Sequence, residues 1–96
     1  MISFEWNQDK EKKNIAKHNV DFNEASTVFL DDEGLLISDP DHSEYEDRYL
    51  LLGLSNKGNL LIVSHCYRKN EEIIRIISAR KANKREATCY LSRKVN

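Results

Sequence analysis

The stretch from Leu60 to Glu86, LLIVSHCYRKNEEIIRIISARKANKRE, constrains this chain more than any other. Leu60 to Val63 is apolar, and polar groups enter only at Ser64, His65, Tyr67 and Arg68. Lys69 to Glu72 reads as a tight polar turn. Ile73 to Ala79 is β-branched at four of seven positions, which favours strand over helix. The stretch is therefore predicted to form two strands joined by a turn, followed by a helix start. If Arg68 pairs with Ile73 across the turn, Cys66 lies opposite Arg75. One face then carries Ser64, Cys66, Arg68 and Arg75, and the other carries His65, Tyr67, Ser78 and Arg80. A slip of one residue would regroup all of them.

The 96 residues fit one compact domain, 1–96. A hydrophobic content of 40% with 32% charged residues fits a globular, soluble chain. No apolar run approaches the roughly 20 residues of a membrane helix, so no membrane partner is expected. MISFEWNQDK has no basic flank followed by an apolar core and is not a secretory signal. Cys66 and Cys89 are too few for a disulfide scaffold and read as free thiols of a cytoplasmic protein. Charge is segregated: residues 1–48 carry a net −8 and residues 49–96 a net +7. The basic half either faces an anionic partner or is neutralised internally by the acidic half.

Along the chain, Met1 to Trp6 reads as a first strand with Trp6 as a core anchor. Asn7 or Asp9 can cap a helix running to about His18, whose lysines form a solvated face. Asp21 or Asn23 can cap a second helix from Phe22 to about Leu30, with Phe22, Ala25, Ser26 and Phe29 toward the sheet. His18, at the end of the first helix, suits the helix dipole. Leu35 to Ile37 is a short strand. A polar loop follows from Asp39 to Glu44, and Arg48 to Leu54 is an interior strand. Asn83 opens a capping box with Glu86, and the last helix runs to about Arg93. The order β-α-α-β-β-β-β-α predicts an α+β fold. It is a mainly antiparallel sheet with two N-terminal helices and one C-terminal helix, the helices packed on one face and the other face partly open.

No zinc-ligand spacing, EF-hand, P-loop, GxGxxG or GxSxG motif occurs, so no metal or cofactor is expected. Cys66 beside His65 is not a thiol–imidazole pair, because neighbouring strand residues point to opposite faces.

FEW near the start, KHNVDFNEA, DPDHSEYEDRYLLLGLS, LLIVSHCYR and RIISARKANKREATCYL stand in an order that resembles the BrnT family. The resemblance runs from Phe4 to Leu91. It implies a RelE-like fold and a bacterial, cytoplasmic ribonuclease toxin of a type II toxin–antitoxin module that inhibits translation. It implies RNA as substrate and a cognate BrnA-like, ribbon-helix-helix antitoxin as partner, with DNA reached only through that antitoxin. In metal-independent cleavage a ribose 2′-hydroxyl attacks the adjacent phosphate. Such a site needs a base, a cation for the phosphorane and an acid. Arginine suits the cation role. The candidates are His65 and Tyr67 for proton transfer with Arg68, Arg75 and Arg80 for the phosphate; Lys81, Lys84 and Arg85 would attract RNA. Each strand candidate has a plain structural alternative. Arg75 could pair with an acid of the first half, His65 could be a hydrogen-bonded sheet residue, and Arg80 a boundary charge. The rival function is a non-catalytic RNA- or protein-binding module on the same fold.

Overall fold

The computed structural model describes residues 2–43 and 46–95. Met1, the expected start of the first strand, and Glu44, the expected end of the polar loop, lie outside the described residues. The described elements are β1 (Ser3–Glu5), α1 (Gln8–His18), α2 (Phe22–Thr27), β2 (Leu35–Ser38), β3 (Tyr49–Leu54), β4 (Leu60–Arg68), β5 (Ile73–Lys81) and α3 (Lys84–Val95). A 3₁₀ turn, Val28–Leu30, extends α2, and another, Pro40–His42, follows β2. No described helix is long and apolar enough to cross a membrane.

Local chemistry sets the helix ends. The Asn7 side chain accepts from the Lys10 N–H and starts α1, and Asn19 ends it in the left-handed region at φ 57°. Asp21 does the same for α2 through the Glu24 N–H, at 2.7 Å. At α3 the capping box closes in both directions: Glu86 N–H donates to Asn83 Oδ1 at 2.9 Å, and Asn83 N–H to Glu86 Oε1 at 2.8 Å.

The strands form one sheet in the order β1-β5-β4-β3-β2. The expectation of a mainly antiparallel sheet holds for β2 through β5 and needs correction at β1, which runs parallel to β5. Short turns force antiparallel neighbours among the late strands. β1 is joined to the rest through α1, so no hairpin fixes its direction.

The helix placement also differs from expectation. α1 and α2 cover one face, where Val20, Phe22, Ala25 and Val28 meet Leu51, Leu61, Val63, Ile76 and Ala79. α3 lies on the opposite face, where Tyr90 packs with Leu52 and Ile62. The physical reason is that β3 and the start of β4 are apolar on both faces, and both must be covered. Burying a side chain such as Leu52 or Ile62 contributes about 1.5–3 kcal/mol, an incentive no one-sided arrangement offers. α3 covers only the end of this face near Leu60. The end near the β4–β5 turn stays open.

The β4–β5 pairing begins as expected, with Arg68 opposite Ile73 and Cys66 opposite Arg75. A bulge then intervenes: His65 faces Ile76, but Ser64 faces Ser78, leaving Ile77 extra. The buried positions of β5 accordingly run Ile74, Ile76, then Ala79. Beyond the bulge every side chain of β5 changes face relative to an unbroken ladder. Arg80, opposite Ile62, therefore joins Arg68 and Arg75 on the α3 face. This corrects the grouping of Arg80 and Ser78 with His65 and Tyr67. Past β1, the outer edge of β5 is satisfied by a side chain. Asn14 of α1 donates to Ala79 O at 2.8 Å and accepts from Ala79 N–H at 3.0 Å, in place of a neighbouring strand.

Candidate functional site

β4 ends in a turn whose backbone is unusual. Lys69, Asn70 and Glu71 all lie in the left-handed region, at φ 49°, 57° and 68°. Asparagine tolerates this conformation, whereas lysine and glutamate do so at a cost. The turn walls a cleft of about 270 Å³ with Glu46, Asp47, Tyr49, Tyr67, Arg68, Lys69, Asn70 and Glu71. Tyr67 and Arg68 come from opposite faces of β4. Both reach the cleft because it sits at the strand's end, where the distinction between faces lapses.

Arg68 and Arg75 converge on one carboxylate. Glu5 of β1 takes Arg75 Nη1 at 3.2 Å and Arg68 Nε at 3.9 Å, while Arg68 Nη2 also lies 3.8 Å from Glu46. The parallel pairing of β1 explains the meeting, since it sets Glu5 directly beside Arg75. Two guanidinium groups on one oxyanion make a geometry that a phosphate could take over. Beneath them Cys66 is 1% exposed. Burial first, and then the Glu46 carboxylate, push its thiol above the ordinary range, so it stays protonated and makes a poor nucleophile.

His65 is fully buried on the α2 face, edge-on to Phe29 at 4.8 Å between ring centres. Its Nδ1–H donates to Val63 O at 3.0 Å, which leaves Nε2 to accept from the Tyr67 hydroxyl at 3.2 Å. Burial lowers the imidazole pKa, so the ring is neutral near pH 7. Burial, Tyr49 and Glu71 together raise the Tyr67 phenol, which keeps its proton. Tyr67 is half-buried with a face on the cleft, and His65 stands behind it.

Arg80 is elsewhere. Five residues beyond Arg75 in a strand amount to roughly 15 Å. There it makes a two-pronged pair with Glu86, both bonds 2.8 Å, which holds the carboxylate below its usual range and the guanidinium charged. Lys81 lies on the α1–α2 side of the sheet near Asn19 and Lys57. Lys84 and Arg85 are exposed in the first turn of α3. Cations there oppose the helix dipole, so helix stability does not explain them. The structure thus brings Tyr67, Arg68 and, through Glu5, Arg75 to one end of the sheet, with His65 behind. It does not bring Arg80, Lys81, Lys84 or Arg85 there.

Sequence reasoning missed Glu5, Glu46 and Tyr49. Glu5 could have been found only from the parallel register. Tyr49 packs against Tyr67 at 5.4 Å, and its position as the first residue of β3 gives no chemical signal. Among the described residues, no three His, Cys, Asp or Glu side chains gather as a cation site.

A family model described as "Ribonuclease toxin, BrnT, of type II toxin-antitoxin system" matches residues 6–86. A comparison with curated proteins finds no match. Among solved structures the chain is similar to the Brucella abortus ribonuclease toxin BrnT, known from a 1.1 Å crystal structure. The TM-score is 0.63 and the identity 23%, over 88% of this chain and 100% of that one, a likeness of fold. With 6–86 matched in a chain of 96 residues, this protein belongs to the BrnT family of ribonuclease toxins of type II toxin–antitoxin systems.

Proposed function

We propose that the chain is a metal-independent endoribonuclease that inhibits translation in the bacterial cytoplasm and is neutralised by a BrnA-like, ribbon-helix-helix antitoxin. The RelE-like description of the fold belongs to the same reading, supported by the run of antiparallel strands after two N-terminal helices. One observation carries the site assignment: Arg68 shares a single carboxylate, Glu5, with Arg75, and itself lines a cleft that Tyr67 also lines. In this reading a phosphodiester displaces Glu5, and the two guanidinium groups offset the charge that builds on phosphorus as the 2′-oxygen attacks. Tyr67, protonated at neutral pH, touches the RNA; its hydroxyl turns from His65 Nε2 to the departing 5′-oxygen and gives up its proton there. Glu46, on the cleft wall, takes the 2′-hydroxyl proton. His65 does not touch substrate; it orients the Tyr67 hydroxyl through Nε2 and is a positioning residue. Arg80 lies outside the cleft, held by Glu86, and Lys81, Lys84 and Arg85, also outside it, act by attracting the RNA backbone.

The test is the end chemistry of the product. Purified protein incubated with single-stranded RNA in excess chelator should leave a 2′,3′-cyclic phosphate and a 5′-hydroxyl. Cleavage that stops on chelation would remove the metal-independent mechanism. Tight binding with intact RNA would favour the rival, a non-catalytic binding module.

A further inference from the structure

β2 is the outermost strand on its side of the sheet. The Asp39 N–H donates to Arg48 O at 2.9 Å, and the antiparallel alternation therefore points the Leu35 and Ile37 backbone groups at β3. The N–H and C=O groups of Leu36 and Ser38 point outward, with no strand beyond them among the described residues. Such an edge is usually blunted by a lysine, a proline or a bulge within it. Here the strand is LLIS, with Leu36 50% and Ile37 44% exposed. The segment around it, residues 31–43, holds five Asp/Glu and no Lys/Arg.

We propose that the β2 edge takes an added antiparallel or parallel strand from a partner polypeptide whose segment alternates cationic and apolar side chains. The charge decides the occupant. RNA is repelled by this segment. A second copy of the chain would set five acids against five. A basic strand gains hydrogen bonds from Leu36 and Ser38, covers Leu36 and Ile37, and meets acids on both flanks. The toxin reading supplies only the partner's identity, the antitoxin. β3 separates β2 from Arg68 on β4 and Arg75 on β5, so a strand added outside β2 anchors a partner without itself covering the two arginines.

The test uses the full chain, labelled with ¹⁵N, and a capped heptapeptide alternating lysine or arginine with valine; its glutamate counterpart is the control. The basic peptide should shift the Leu36 and Ser38 amide signals and slow their hydrogen exchange, and the acidic one should not. Leu36→Pro removes an outward N–H and no β2–β3 hydrogen bond, so it should fold and bind the peptide at least tenfold more weakly. Ser38→Pro is the second variant of the same kind. Shifts confined to another part of the sheet, no shift at all, or undiminished binding by both folded proline variants would overturn the proposal. RNA cleavage by Leu36→Pro should equal that of the parent. A parent chain that binds the peptide at β2 but cleaves no RNA would count against the ribonuclease assignment and leave the edge proposal standing.

Discussion

At the scale of single residues, Arg68 and Arg75 have partners that are partly solvent-exposed, so their ion pairs contribute little to stability, about 0–1 kcal/mol each. Arg68→Ala and Arg75→Ala should therefore melt within a few degrees of the parent. If they stabilise the transition state, each should lose about a hundredfold in cleavage rate. A large fall in melting temperature would make them structural. His65 gives a pH signature. Its folded pKa is depressed by burial, so the unfolded chain binds a proton that the folded one resists. Its contribution to stability is complete above the unfolded value of 6.5 and is lost as pH falls below it. Melting temperature should decline on acidification through that window, and His65→Phe should flatten the decline. The residue types of the site were legible in the sequence, because arginine, histidine and tyrosine in a hairpin are rare enough to notice. Their partners were not, because Glu5 lies 70 residues from Arg75 and meets it only through a parallel strand.

At the scale of elements, the helix caps and the β4–β5 turn were readable because they are local. Asn7, Asp21 and the Asn83–Glu86 box act within four residues of themselves. The β5 bulge was not readable: Ile76 and Ile77 are identical side chains, and nothing local says which is extra. That one residue moves Arg80 to the face of Arg68 and Arg75. Neither was the face of α3, since a strand apolar on both sides does not say which helix covers which. The Lys69–Glu71 turn carries strain that glycine would relieve. Glu71→Gly should raise stability by about 1 kcal/mol, or several degrees in melting temperature. No gain on calorimetry would mean the left-handed backbone is held without cost. α3 depends on Tyr90, whose hydroxyl donates to Asp31 at 2.6 Å. Burial, followed by that carboxylate, pushes the phenol up to about 12. Its folded pKa exceeds the unfolded value of 10, so its contribution is full below pH 10 and lost as pH rises toward 12. Tyr90→Phe should remove that alkaline loss, measured as melting temperature against pH.

At the scale of the whole molecule, the charge segregation seen in the sequence resolves into both readings at once. Glu5, Glu46 and Glu86 neutralise the three strand arginines locally. The acids of residues 31–43 lie toward the far edge, and the exposed Lys81, Lys84 and Arg85 are the cations of the RNA reading. Binding of single-stranded RNA should weaken with salt, the log–log slope falling by ~0.7 for each phosphate contact removed. The most direct measurement compares the parent with the Arg68→Ala/Arg75→Ala double variant in one assay. Both are incubated with the same single-stranded RNA under chelation, and cleavage rate and melting temperature are read from the same preparations. The expected result is cleavage by the parent and at least a hundredfold loss in a variant that melts within a few degrees of it. Equal cleavage by the folded double variant, or none by the parent, would contradict a ribonuclease site built on these two arginines.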